Sequence, residues 1–378
     1  MPASRHLVAE LRLFDGTGCL SSLNDELKRL SAERAVVVCG ASIVDRAATL
    51  DALKSAIASR LAGVIPLAKA HSPLPSVQAI AHELGRLQAD AVIAIGGGSA
   101  MVSARAASIL LAEGGDITAL STRRDASGTL ASPRLAAAKL PQLVVPTTPT
   151  TAAVKAGSAV LDPAGGQRLA LFDPKTRAKA VFVHPDFLAT APARLVVSAS
   201  LNTLTMACEG LMSRTTDALS DGLLLHALRL LFAHLPAVGA GDDRLARHEL
   251  MLASLMTGQA TDYTGAGLTI PLAHAVSAHA QVDNGIANAI LLPHVMAFNA
   301  GSAASGLDKI AMAVGHGTEP FVRLSRACDV PQRLRDVGVA RDALPGLATV
   351  AMDDWFIRDN PRRIEHASEL ERVLEAAW

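Results

Sequence analysis

The chain has 378 residues, half of them apolar and 19% charged, with 35 Lys+Arg balancing 35 Asp+Glu. A neutral balance supplies no long-range field for nucleic acid or an anionic membrane, so the expected partner is a small molecule, and the length predicts two domains rather than one core. Cys19, Cys39, Cys208 and Cys328 form no CxxC pair, residues 1–18 hold no continuous apolar run and no uncharged apolar stretch reaches spanning length; the expectation is a soluble, cytoplasmic protein without a disulfide framework or zinc ribbon.

In chain order, residues 34–42 (RAVVVCGAS) read as a short β-branched strand ending in glycine. A helix over 45–61, a strand over 63–66 and a helix over 76–87 follow. Residues 91–110, AVIAI-GGGSA-MVSARAASIL, are a buried strand that turns through three glycines into an Ala-rich helix. Such a turn gathers backbone N–H groups and the positive helix end at one point, which makes it a candidate phosphate cradle. Gly96, Gly97 and Gly98 permit positive φ and close approach of a ligand, and Ser99 is expected to cap the helix.

Between residues 114 and 139 the pattern weakens into polar, Arg-rich sequence containing Ser127-Gly128. A strand over 142–145 is closed by the hydroxyl-rich loop Pro146-Thr147-Thr148-Pro149-Thr150-Thr151, placed where sheet proteins of this class bind ligands. Further strands are read over 157–161, 168–172 and 180–183. Strands alternating with helices indicate a parallel sheet. From about residue 192 the periodicity is helical, over 195–211, 219–235, 243–256, 268–279, 286–298, 308–314 and 365–377, so the boundary falls near 190: an α/β domain over 1–190 and an all-α domain over 191–378.

Four stretches in this order, GGGS at 96–99, PTT at 146–148, AHAVSAHAQVDNGIANAILLPHVMAFN at 273–299 and NPR at 360–362, resemble the iron-containing alcohol dehydrogenase family, which includes maleylacetate reductases and is related to glycerol dehydrogenase and dehydroquinate synthase. The resemblance implies a dehydroquinate synthase-like fold, with an N-terminal nucleotide-binding α/β domain and a helical C-terminal domain. It also implies NAD or NADP and substrate between the domains, a homodimer and, in many members, a divalent metal that polarises the alcohol oxygen.

On this alignment the family's four metal ligands, one Asp and three His, fall at Asn202, Met206, Ile270 and Asn284. None supplies the imidazole or carboxylate that Fe²⁺ or Zn²⁺ favours, so no catalytic metal is expected. His274 remains at the position beside the nicotinamide and is read as proton donor, with Asn202 and Asn284 as neutral partners of the developing alkoxide. His279, about 140° further round an ideal helix, is a second candidate. His226 and His294 are read as structural, and Asp262 and Tyr263 as part of a Gly-flanked loop.

The cofactor side departs as well: Val102 and Arg105 stand where the family pattern has Asp and Lys, and PTTAAVK replaces the common GTGSE continuation. The cofactor set on this reading is Gly40, Gly96, Gly97, Gly98, Ser99, Thr147, Thr148 and Thr151. Gly40 ends the first strand where NAD-specific members often carry an Asp, and Arg46 lies nearby, so NADP is expected to be tolerated. The leading expectation is a metal-independent NAD(P)-dependent oxidoreductase of a small carbonyl or alcohol, a keto acid being an activated candidate. The alternative is a nucleotide-binding relative without redox turnover or with non-redox chemistry.

Overall fold

The computed structural model describes residues 6–124, 130–164, 167–241 and 243–378; Ser127-Gly128 lies outside them. The chain divides into two compact units, one over Ala9–Ala191 and one built from Pro192–Trp378 together with the N-terminal arm to Val8.

The first unit runs β1 (Leu13–Asp15), α1 (Leu23–Arg29), β2 (Ala35–Cys39), α2 (Ala41–Val44), α3 (Ala47–Ile57), β3 (Leu61–Ile65), α4 (Leu74–Arg86), β4 (Ala91–Gly96), α5 (Gly98–Glu113) and α6 (Ile117–Leu120). After a short strand pair, β5 (Arg123–Arg124) and β6 (Leu130–Ala131), come β7 (Gln142–Pro146), β8 (Gly157–Asp162), β9 (Gln167–Phe172), β10 (Ala178–Val183) and α7 (Pro185–Leu188). Six strands form one parallel sheet in the order β1-β10-β7-β4-β2-β3. Every residue of β2, β4 and β7 is buried, which explains their continuous apolar runs: helices cover both faces.

Two expected strands stand apart from this sheet. β8 and β9 form a two-stranded sheet of their own, antiparallel from Gly157↔Phe172 to Asp162↔Gln167, because the few residues joining them cannot make the crossover that parallel pairing requires; Leu161 of β8 also bridges to Pro73. The expected helix over 45–61 is shorter: α3 spans Ala47–Ile57 and tightens into a 3-10 turn over Ala58–Arg60, and the chain is already extended at Leu61, where β3 pairs with Ala35.

The second unit contains α8 (Ala193–Met212), α9 (Ala218–Ala240), α10 (Arg244–Thr264), α11 (Thr269–Ala280), α12 (Asn284–Asn299), α13 (Ala304–Val314), α14 (Glu319–Ala327), α15 (Leu344–Ala351) and α16 (Ala367–Ala377). Asp217 and Asp243 cap α9 and α10 through bonds from Ser220 N at 2.8 Å and Leu245 N at 2.9 Å. Leu272, Val276, Leu291, Val295, Leu344, Leu370 and Leu374 belong to one core that joins α11, α12, α15 and α16. Close approach of α12 to α8 depends on Gly285, whose added Cβ would lie 1.8 Å from Ser198 O. α8 and α9 are long and apolar enough to cross a membrane by composition, but each carries charge, Arg194 and Glu209 in one and Asp221 and Arg229 in the other, and 83% of the α8 window is buried within the protein.

Two sequence expectations change here. Asp262 and Tyr263 are in the last turn of α10, which continues until Gly265 (φ +74°) stops it. The Tyr263 ring stacks on His6 at 4.1 Å, and His6 Nδ1 lies 2.7 Å from Asp217 Oδ2, so this tyrosine is packed against the N-terminal arm. His226 is exposed, because the buried stripe of α9 runs through Leu224, Ala227, Leu228, Leu231 and Leu235 and misses it.

Candidate functional site

In the α/β unit the chain passes from β2 to β3 on one side and then returns across β2 to form β4, so the winding reverses between β2 and β4. Ligands of such sheets bind outside the carboxyl ends of the strands at that reversal. Cys39 pairs with Ile95 and Gly96 with Pro146, so the segments leaving β2, β4 and β7 emerge side by side. They carry Gly40, Gly96–Ser99 and Thr147–Thr151, which the fold thereby brings to one edge.

Gly96 has φ +143°, and a Cβ there would sit 2.9 Å from Ala100 Cβ. Gly97 is the N-cap of α5, and Cβ atoms added to Gly97 and Gly98 would come 3.0 Å from Thr148 Oγ1 and 2.9 Å from Thr150 Oγ1. The floor of the turn is therefore bare backbone facing threonine hydroxyls at the start of a four-turn helix, a cradle suited to a pyrophosphate. Ser99 does not cap α5. It is the second residue of the helix, and its Oγ accepts from His71 N at 3.2 Å while Ser72 Oγ donates to Ser99 O at 3.0 Å. Arg105, buried deeper in α5, donates to Gly157 O and Ala152 O at 2.5 and 2.6 Å; its guanidinium ties α5 to the threonine loop and to β8.

In the helical unit, α8, α11 and α12 pack on one another. His274 on α11 is partly buried, and its Nδ1 lies 2.7 Å from Asp354 Oδ2. A carboxylate oxygen accepts, so Nδ1 carries the proton and Nε2 is the atom available for proton exchange. Asp354 is held in turn, because its Oδ1 accepts from Phe356 N at 3.0 Å.

One turn before His274, Ile270 packs with Met206, Ala266 and Phe356 in a small apolar cluster. One turn before Met206 on α8, Asn202 donates through Nδ2 to Met206 Sδ at 3.8 Å and accepts through Oδ1 from Asn288 Nδ2 at 2.8 Å. The amide of Asn202 is thus engaged at both ends and is not a free partner for an alkoxide. Asn284, one turn before Asn288, buries its Oδ1 without a donor. His279 is exposed in the last turn of α11, on a different face from His274.

Asp354, Asn288, Glu209 and Asn360 were missed by sequence reasoning. Glu209 is fully buried on α8, and its carboxylate accepts from Gly267 N at 2.8 Å and Thr269 N at 2.5 Å, capping the helix that carries His274. Burial pushes this carboxyl up to about 7 against the pull of those hydrogen bonds. Asn360 of the NPR stretch accepts from Leu268 N at 3.3 Å and exchanges amide hydrogen bonds with Asn299 at 2.8 and 2.9 Å. Asn360 in the NPR stretch and Asn288 in the 273–299 stretch carried a signal of resemblance rather than of chemistry, and Asp354 and Glu209 carried none.

Two families of site thus meet in one chain: a glycine turn at a sheet reversal, as in dinucleotide-dependent enzymes, and a braced histidine in a helical unit. The chain matches the family described as iron-containing alcohol dehydrogenase over residues 11–185 and that family's C-terminal domain over 196–378. It belongs to the iron-containing alcohol dehydrogenase family and is an alcohol dehydrogenase- or reductase-like enzyme. It is 30% identical to lactaldehyde reductase of Escherichia coli across 100% of both chains, and 27% identical to maleylacetate reductase 1 of Cupriavidus pinatubonensis across 97% of this chain and 95% of that one. A solved 1,3-propanediol oxidoreductase superimposes with a TM-score of 0.87 at 23% identity over all of both chains, which establishes the shared dehydroquinate synthase-like fold.

The two groups the family implies fare differently against these side chains. The glycine and threonine cradle fits a dinucleotide. The four positions to which the family resemblance assigns metal ligands do not fit a metal ion, since a thioether, a hydrocarbon and two neutral amides offer neither charge neutralisation nor a chelate to Fe²⁺ or Zn²⁺. Among the described residues no three His, Cys, Asp or Glu side chains converge elsewhere to replace them.

Proposed function

We propose that the protein is an NAD(P)-dependent oxidoreductase that interconverts a small neutral carbonyl compound and its alcohol without a catalytic metal. The observation that carries this reading is the His274–Asp354 pair, one helical turn from Ile270, whose apolar cluster with Met206 occupies positions to which the family resemblance assigns metal ligands. A bound nicotinamide supplies or accepts the hydride. His274 Nε2 donates the proton to the carbonyl oxygen on reduction and takes it back on oxidation, with Asp354 holding the ring and stabilising its charged form. Gly97, Gly98 and the Thr148 and Thr150 hydroxyls would hold the pyrophosphate.

A keto acid is set aside as the preferred substrate, because the buried amide oxygens of Asn284 and Asn288 would face its carboxylate with like partial charge. Gly40 supports tolerance of NADP: no carboxylate ends β2 to repel a 2′-phosphate, and the exposed Arg46 follows within two turns. The test is steady-state change of nicotinamide absorbance with NADH and NADPH against a panel of aldehydes and ketones. Turnover with either cofactor is expected, with NADPH bound at least comparably to NADH. Binding of both cofactors with no turnover of any carbonyl would favour the reading in which redox chemistry has been lost.

A further inference from the structure

We propose that the helical unit holds a second ligand site, for a small phosphate monoester, in a cavity lined by α12, α14 and the segment Pro331–Arg333, where His294, Arg326 and Arg333 receive the phosphate. The site goes beyond the proposed redox reaction and does not depend on it. The cavity has a volume of about 390 Å³, in the range of small-molecule sites, and lies wholly within the second unit. Its third wall comes from the way α14 ends. Cys328 N and Val330 N donate to Ser325 O at 3.1 and 2.9 Å, while Asp329 takes φ +53° and donates from N to Arg326 O at 3.2 Å. The last carbonyls of α14 are therefore engaged by backbone N–H groups and do not compete for the arginines. The chain then doubles back and is held by Gln332 Nε2 donating to Val330 O at 2.7 Å and Arg333 Nη1 to Ala376 O at 3.4 Å.

Ile290 and His294 stand one turn apart on α12, and Val322 and Arg326 one turn apart on α14, so each helix offers the cavity one apolar and one basic residue. No carboxylate lines it among the described residues. Arg323, outside it, lies 4.0 Å from Glu319, whereas the exposed Arg326 and Arg333 meet no carboxylate among the described residues. A histidine kept for structure finds hydrogen-bond partners, yet neither ring nitrogen of the half-buried His294 has one among the described residues. Burial, and after it the charge of Arg333, hold its imidazole below the ordinary range, so the charge nearest the ring is positive. An anion answers both features. Two guanidinium groups exceed the single bidentate pairing that a monocarboxylate can accept, and they suit the three terminal oxygens of a phosphate monoester. Ile290, Pro293 and Val322 leave an apolar wall for its organic part.

The experiment is calorimetric titration of the protein with ethyl phosphate, inorganic phosphate and malonate at about 0.15 M salt, where exposed charges are screened beyond about 8 Å. It is run in the Gly97→Asp background, so that the glycine cradle does not compete for phosphate. Saturable binding of ethyl phosphate at one site is expected, weakened at least about tenfold by Arg326→Gln and again by Arg333→Gln, the order of one charge-assisted hydrogen bond each. Both arginines are exposed, so the variants should fold, and thermal melting checks this. In the chain with Gly97 intact, Arg326→Gln should leave NADH affinity unchanged. Absence of saturable binding overturns the proposal, as does binding that survives the double substitution. Malonate bound as tightly as ethyl phosphate overturns the assignment to a phosphate, and a parallel loss of NADH affinity in Arg326→Gln overturns a site separate from the cofactor's.

Discussion

His274 Nδ1 and Asp354 Oδ2 are 2.7 Å apart although 80 positions separate them in sequence. The contact couples α11 to the turn that follows α15, and it fixes which ring nitrogen is free. Replacing Asp354 by Asn removes the charge that stabilises the imidazolium and permits the wrong tautomer, so kcat is expected to fall by about 10²-fold or more with little change in KM. His274→Ala should lose as much, and the double variant little more than either single change, because the two act as one unit. Steady-state kinetics of the three variants check this; an Asp354→Asn enzyme with normal kcat and an unmoved pH profile would make the pair purely structural.

At the glycine turn two adjacent residues do different jobs. Gly96 carries a positive φ and no room for a Cβ, so Gly96→Ala is expected to destabilise the fold by about 1–3 kcal/mol. Gly97 has ordinary dihedrals, φ −80° and ψ −172°, so Gly97→Asp brings a carboxylate to the cradle without backbone strain, the Thr148 hydroxyl 3.0 Å from the new Cβ having to shift by a few tenths of an ångström. Affinity for NADH and NADPH should drop at least about a hundredfold while the melting midpoint moves little. Calorimetric titration showing unchanged dinucleotide binding in Gly97→Asp would mean that the pyrophosphate lies elsewhere.

Much of the architecture was legible because it rests on repeating patterns. The β-branched runs ending at Cys39, Gly96 and Pro146 mark the buried strands, and the apolar periodicity beyond residue 192 marks the helical unit. β1 was not legible, since three residues that pair along Val181–Val183 carry no period of their own. The end of α10 was misread because Thr264-Gly265 looks like a loop until one knows that Tyr263 packs on His6. The glycine cradle could be read from local sequence. The partners of His274 and its helix could not: Asp354 meets His274 and Glu209 meets Thr269 only through the packing of segments distant in sequence.

Glu209 gives the enzyme a pH-dependent stability. Its carboxyl stands at about 7 in the folded chain against an ordinary value of 4.5, so the native state holds its proton more tightly than the unfolded chain. The resulting stabilisation is fully present below about pH 4.5 and is lost as pH rises through about 7, a change of about 3 kcal/mol. Wild-type unfolding free energy should therefore fall between pH 5 and 8 by about that much relative to Glu209→Gln, which cannot ionise. Urea denaturation of both proteins across this interval measures the difference; parallel curves would show that the backbone N–H groups of Gly267 and Thr269 keep the carboxylate charged throughout.

The four positions to which the family resemblance assigns metal ligands lead to the last expectation. A site that loses one of four ligands often keeps weak affinity, but here Asn202, Met206, Ile270 and Asn284 replace all four, and the nearest imidazole, His274, already gives Nδ1 to Asp354. One remaining nitrogen cannot neutralise or chelate a divalent ion, and the Met206–Ile270–Phe356 cluster fills the space with hydrocarbon and a thioether. Purified enzyme should hold well under one equivalent of Fe, Zn, Ni or Mn by elemental analysis, and its turnover should survive exhaustive chelation. Stoichiometric metal removed together with activity would show that some other set of side chains serves as ligands. The converse experiment tests the scaffold: Asn202→Asp, Met206→His, Ile270→His and Asn284→His introduced together should create measurable Zn²⁺ affinity by titration, because i,i+4 spacing on α8 still places the first two on one face and the packing of α11 and α12 supplies the others.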